Sequence, residues 1–118
     1  MKLAFDVFTT PSVTGHATVA LGDTTLVYTR RATPEPHIYL SSLRTRSRAR
    51  RKGGARRAMV EFLAWADAQQ LPVVLCASPL DRATGLRRLV GFYVDLGFLP
   101  TGRSCNPAGD PVLRRAPR

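Results

Sequence analysis

The sequence predicts a mixed α/β (α+β) domain: a mostly antiparallel sheet with a strand–helix–strand unit at its centre and two main helices. Three observations lead there. Apolar and polar residues alternate as far as Leu43, and from Ala55 the apolar spacing changes to about 3.6 residues. A short β-branched run, Pro72-Val73-Val74-Leu75-Cys76, then lies between two helical stretches. A strand, a crossover helix and a second strand imply a parallel pair with a right-handed connection.

In chain order, Leu3, Phe5 and Val7 alternate with Lys2, Ala4 and Asp6 and read as a first strand. Ala17, Val19 and Leu21 alternate after Gly15 and give a second. The turn signal in Leu21-Gly22-Asp23-Thr24-Thr25-Leu26 joins it to Leu26-Val27-Tyr28-Thr29 as a hairpin. Pro34 and Pro36 break the chain before a fourth strand, His37 to Leu43. On the first helix Ala55, Met59, Phe62, Leu63 and Ala66 share a face, with Arg56, Arg57, Glu61 and Asp67 elsewhere. Trp65 on this helix is expected in packing or at a partner contact. Leu71 to Ala77 is too short for a helix and suits a strand buried on both faces. A second helix is expected from Ala83 to Leu96, with Leu86, Leu89, Val90 and Tyr93 on one face, although Gly85 and Gly91 weaken it. Phe98 to Arg103 and Pro111 to Arg114 read as a closing pair of strands, and residues 113–118 as a loose tail.

At 118 residues the whole chain is expected to form one domain, its core closed without metal or disulfide staples. The formal charge of +10 is concentrated in Arg44, Arg46, Arg48, Arg50, Arg51, Lys52, Arg56 and Arg57. Such a cluster attracts polyanions. Lys2 and Lys52 are the only lysines among the 18 basic residues, so part of the excess reflects an arginine bias of composition. Cys76 and Cys105 stand far apart with only His16 and His37 beside them, a set with no metal-ligand spacing and no disulfide framework. The expectation is two reduced thiols in a soluble cytoplasmic protein. No apolar run reaches the length of a membrane span, and the start MKLAFDVFTTPS lacks the apolar stretch of a secretory signal.

The segment Arg50-Arg51-Lys52-Gly53-Gly54-Ala55 carries the most chemistry. Gly53 and Gly54 let backbone approach a ligand closely, and the helix that follows opens with free N–H groups bearing partial positive charge. That arrangement suits a diphosphate, with Arg50, Arg51, Lys52, Arg56 and Arg57 adding formal charge. The dinucleotide fingerprint and the nucleoside-triphosphate loop are both absent.

This loop resembles the signature [Q/R]-x-x-G-x-[G/A] of the GNAT superfamily of acyl-coenzyme-A-dependent N-acetyltransferases, matched by Arg50, Gly53 and Ala55. A second segment, Gly91-Phe92-Tyr93-Val94-Asp95-Leu96-Gly97-Phe98, resembles the F-Y-x-x-x-G-F stretch with which the family ends its last helix. Gly97 fits as the residue that terminates the helix, and Tyr93 lies one turn before its end. The resemblance covers about His37 to Arg103 and implies a GNAT-like fold. The two helices that most members carry between their first strands are missing, since only Thr9 to Gly15 intervenes. An acceptor site without their wall is expected to be open.

The resemblance implies transfer of an acetyl group from acetyl-coenzyme A to a primary amine, without metal. Tyr93 would protonate the departing thiolate, or is simply a core aromatic. The loop from Arg50 to Arg56 would hold the diphosphate. Leu43, Arg44 and Thr45, ending the fourth strand, would contact the pantetheine arm through backbone groups in a gap beside Val73 to Ala77. A backbone N–H near Leu43 would polarise the acyl oxygen. Cys76, with no base beside it, reads as a small buried residue. The fourth strand carries no carboxylate to act as base; Glu35, His37, Ser41 and Ser42 could each hold a water, or be ordinary surface residues. The acceptor is open, a protein being one candidate, and an open face with an exposed strand edge is compatible with a homodimer. Two other readings stand beside this one: a small basic nucleic-acid-binding module using Arg44 to Arg57, and a coenzyme-binding relative without catalysis.

Overall fold

The computed structural model describes residues 8–11, 15–46, 53–79 and 85–118. The strand expected over Leu3 to Val7 lies outside them. Six strands form one sheet: β1 (His16–Leu21), β2 (Thr24–Arg31), β3 (His37–Thr45), β4 (Val73–Cys76), β5 (Leu99–Ser104) and β6 (Pro111–Arg115). Helix α1 (Gly54–Ala68) links β3 to β4, and α2 (Leu86–Asp95) lies between β4 and β5. The spatial order is β1-β2-β3-β4-β6-β5. Pairing is antiparallel except between β3 and β4. This is the mixed sheet with a central strand–helix–strand unit that the change of period predicts.

β1 and β2 close through the two-residue turn Gly22-Asp23, Leu21 pairing with Thr24, and Gly22 takes the positive φ of 61° that such turns require. β1 alternates exposed and half-buried residues, whereas β2 sends Leu26 and Tyr28 fully into the core. Helix α1 lays Met59, Phe62, Leu63 and Ala66 on the sheet, and Ala58 and Trp65 widen that stripe. Trp65 belongs to an aromatic cluster, its ring 5.4 Å from Tyr28 and 5.7 Å from Phe8. Each such side chain contributes roughly 2–3 kcal/mol when wholly removed from water. The Tyr28 hydroxyl donates to the Thr9 carbonyl at 2.9 Å and accepts from the Thr9 amide at 3.1 Å, holding Phe8 over the cluster. Burial pushes this phenol upward, only partly opposed by those bonds.

Three expectations are corrected. Residues 113–118 do not form a loose tail: β6 runs inside the sheet between β4 and β5, so Leu113 is fully buried. Arg115 is also buried, its guanidinium bonded to both carboxylate oxygens of Asp67 at 2.7 and 3.1 Å and to the Leu96 carbonyl at 3.0 Å. The Arg118 amide reaches the same carboxylate at 3.1 Å. The basic composition concealed this, because the charges are satisfied across the fold rather than by sequence neighbours. The second helix begins at Leu86 and not at Ala83, since Gly85 (φ 98°, ψ 134°) has a conformation no helix admits. Its end is as expected, with Leu96 at the cap and Gly97 at φ 100°. Finally, the two cysteines are not free thiols. Cys76 pairs with Val112, and Ser104 with Pro111, so the ends of β4 and β5 both flank the start of β6. That brings Cys76 and Cys105 to 6.0 Å between Cα atoms, joined as a disulfide across 29 residues of sequence.

Candidate active-site cleft

Strands β3 and β4 pair only from Ile38–Val73 to Leu40–Leu75. Beyond that point β3 continues to Thr45 while β4 ends at Cys76, and the two strands no longer pair. A bulge marks the place: Tyr28 faces Leu40 and Val27 faces Ser42, which leaves Ser41 as the extra residue of β3. A bulge bends its strand and leaves the extra residue out of the regular ladder, here where the pairing with β4 has stopped. The result is a cleft of about 710 Å³. Ser41, Ser42, Leu43 and Arg44 form one wall, and Leu75, Cys76 and Ser78 the other. Leu89, Phe92 and Tyr93 of α2 close it.

Tyr93 is buried, its ring edge-on to Phe92 at 5.2 Å and to Phe98 at 5.6 Å. Burial alone pushes its phenol up to about 12, because the anion would lose its hydration. It therefore stays protonated, a donor and not an acceptor of protons, throughout the physiological range.

At the other end of the opening, α1 begins with Gly53 in the left-handed region (φ 78°, ψ 7°), and no side chain caps the helix. The first bond of the ladder, Arg57 N–H to the Gly53 carbonyl at 3.0 Å, leaves the amides of Gly54, Ala55 and Arg56 ahead of it. No acidic residue stands in the first turn of α1, and Asp23 and Glu61 line a cavity beside it. Arg56 and Arg57 are exposed beside it. Gly54 lies against β2, where a Cβ would come within 3.4 Å of Thr24 Oγ1. A second cavity of about 430 Å³ separates this helix start from the β1–β2 turn, lined among others by Thr45, Gly54, Arg57 and Glu61.

The residues singled out from sequence thus divide. Leu43, Arg44 and Tyr93 meet in the main cleft. Thr45, its hydroxyl 2.9 Å from that of Thr24, and Gly54 face the second cavity. Gly53, Ala55 and Arg56 make the helix start, and Arg50, Arg51 and Lys52 lie outside the described residues. Glu35 and His37 are elsewhere: the Glu35 carboxylate takes two bonds from Arg114 at 2.7 and 3.1 Å, and buried His37 Nδ1 donates to the Glu35 carbonyl at 2.7 Å. Sequence reasoning missed Arg88, Phe92, Ser78 and the bulge. The Ser78 hydroxyl donates at 2.9 Å to Asp110, a wholly buried carboxylate that also accepts from the Asn106 side chain at 2.8 Å. No local signal announces either a bulge or a serine whose partner is 32 residues away. Among the described residues no group of three metal-capable side chains gathers, and no helix is long and apolar enough to cross a membrane.

Solved structures share this fold. The anti-CRISPR protein AcrVA5 superposes with a TM-score of 0.68 at 17% identity, covering 86% of this chain and 99% of its own. A histone acetyltransferase HPA2 and related acetyltransferase from Corynebacterium glutamicum gives 0.63 at 21% identity, over 80% of this chain and 57% of that one. The NatC complex bound to Gag peptide and CoA gives 0.61 at 13% identity, over 80% and 60%. The chain has a GNAT-like fold. Against the two longer neighbours it spans less than two-thirds of their length, and it matches AcrVA5 almost end to end. No protein-family model and no curated protein sequence matches it. Within the GNAT-like frame, α1 is the helix after the central β3 strand and α2 the helix that carries Tyr93.

Proposed function

We propose that this chain is an N-acetyltransferase that moves the acetyl group of acetyl-coenzyme A to a primary amine of a polypeptide acceptor. The observation that carries the reading is the opening of the sheet beyond Leu40 and Leu75. There β3, bulged at Ser41, runs on without β4 as partner beside a cleft closed by a protonated phenol. The GNAT-like fold supports it, since neighbours of that fold are acetyltransferases and one was solved with CoA and a peptide.

In this reading the amides of Gly54, Ala55 and Arg56 at the start of α1 hold the diphosphate, and Arg50, Arg51 and Lys52, which precede Gly53 in sequence, add charge to it. Backbone groups of Leu43, Arg44 and Thr45 align the extended arm along the free edge of β3. An N–H near Leu43 polarises the thioester carbonyl. As the amine attacks, the C–N bond forms, the C–S bond breaks, and Tyr93 donates a hydrogen bond to the departing sulfur. The lining has no carboxylate or imidazole among the described residues, so a water held by Ser41 and Ser42 removes the proton of the amine. Most of the acceleration is positioning of the reactants.

The test combines binding and transfer. Acetyl-coenzyme A should raise the melting temperature by several degrees, as any ligand confined to the native state does. Mass spectrometry should then detect acetylation among lysine peptides, peptides with free amino termini and polyamines. No thermal shift overturns the reading. A shift with background release of coenzyme A across all acceptors reduces it to coenzyme binding without catalysis.

A further inference from the structure

We propose that the Cys76–Cys105 disulfide is a second reactive site of the cleft, at which the thiol of coenzyme A exchanges and becomes tethered to Cys76. The inference rests on the coenzyme reading above and concerns regulation of the same site. Cys76 ends β4 and is half-buried in the wall that faces Ser42 across the opening, on the cleft that Tyr93 closes. Cys105 is exposed and is not part of that wall. The disulfide therefore joins a residue of the cleft wall to one outside it. Thiol–disulfide exchange requires the entering sulfur, the attacked sulfur and the leaving sulfur to lie nearly in line. A thiol inside the cleft reaches Cys76 and not Cys105, so Cys105 is the leaving sulfur.

The proposed transfer reaction generates such a thiol on every turnover, in the same cleft. Held there, it attacks at an effective concentration far above its bulk value. Arg44 and Arg88 line the cleft and favour the thiolate over the thiol. In the step, the coenzyme thiolate attacks Cys76 Sγ and a new S–S bond forms. The Cys76–Cys105 bond breaks with its electron pair on Cys105. That thiolate, exposed to solvent, takes up the proton the coenzyme thiol released. One disulfide replaces another, so no external oxidant or reductant enters. The tethered coenzyme fills the cleft and stops turnover until Cys105 or a second thiol attacks the mixed disulfide. Acetyl-coenzyme A has its sulfur blocked, cannot exchange, and protects the site.

The experiment incubates the oxidised full chain, free of reductant and oxygen, with coenzyme A and records intact mass under non-reducing conditions. The expected result is a gain of one coenzyme A per chain, mapped to Cys76 by peptide analysis and removed by dithiothreitol. Adduct formation should be on the order of tenfold or more faster than with glutathione at equal concentration, and suppressed by excess acetyl-coenzyme A. Cys105→Ser, which leaves no disulfide to exchange, should give no adduct. Should that variant not fold, protection by acetyl-coenzyme A in the native chain decides the matter. An adduct on Cys105, equal rates with glutathione, no protection, or no adduct although calorimetry shows coenzyme A binding overturns this inference and leaves the acetyltransferase reading standing. Absence of both adduct and binding overturns both.

Discussion

Replacing Tyr93 by Phe removes one oxygen and nothing else. The ring keeps its contacts with Phe92 and Phe98, so the melting temperature should stay within a few degrees. What is lost is a hydrogen bond to a sulfur that becomes anionic as the C–S bond breaks. A bond to a charged partner contributes about 1.5–3 kcal/mol. If it exists only in the transition state, kcat falls about 10- to 150-fold while the KM for acetyl-coenzyme A is unchanged. The phenol, pushed up to about 12, also limits what Tyr93 can do. Handing its proton fully to a thiolate of ordinary basicity, near 8.5, would be uphill by several kcal/mol. On the proposed mechanism it therefore acts on the leaving group as a hydrogen-bond donor, and its ionisation should add no descending limb to the kcat profile below about pH 11. Steady-state kinetics of thiol release from pH 6 to 10, for both proteins, tests this. An unchanged kcat in the variant refutes the role. So does a descending limb near pH 8–9 in the native chain that the variant lacks.

Gly53→Val should abolish the thermal shift given by acetyl-coenzyme A while the chain still folds. At φ 78° a side chain costs about 1–2 kcal/mol of strain and also stands in front of the uncapped amides of α1. Gly54→Val should weaken binding too, measured by calorimetry, because its methyl groups press on the Thr24 hydroxyl that bonds Thr45. Asp67 governs acid stability. Burial by itself would raise its carboxyl, but the hydrogen bonds and charges of Arg115 and Arg118 outweigh that and hold it below the usual carboxylate range. Because the folded value is the lower one, the stabilisation is complete above about pH 4 and disappears as the pH falls through the folded value. Asp67→Asn should lose about 3 kcal/mol at pH 7 in urea unfolding, and the difference from the native chain should shrink towards pH 3. Reduction of Cys76–Cys105, which closes a loop of 29 residues, should lower stability by about 3–4 kcal/mol in the same assay. A native chain equally stable with and without dithiothreitol would contradict that.

What could be read in advance was local. The alternation in β1 and β2, the turn at Gly22-Asp23, the stripe Met59-Phe62-Leu63-Ala66 and the helix end at Gly97 all depend on residues within a turn or two of one another. The helix start at Gly53-Gly54 and the helix end after Tyr93 were legible because helix termini are signalled by consecutive residues. The gap beside Val73 to Ala77 was expected from the family resemblance, but the cleft's bulge and its lining from α2 were not legible. Its walls come from β3, β4 and α2, and its opening depends on where a parallel pairing stops and which residue bulges. Both are outcomes of competition among strands.

The sequence by itself determined the periods, the turns, the mixed sheet and the two helix ends on which the proposed chemistry rests. Tertiary structure alone decided that β6 inserts between β4 and β5. From that one insertion follow the burial of Arg115 against Asp67, the ordering of residues once expected to be a tail, and the disulfide at the cleft. The physical reason is the same throughout: secondary structure is set by interactions between sequence neighbours. Strand order and the satisfaction of buried charge are set by partners dozens of residues apart, which no local pattern encodes.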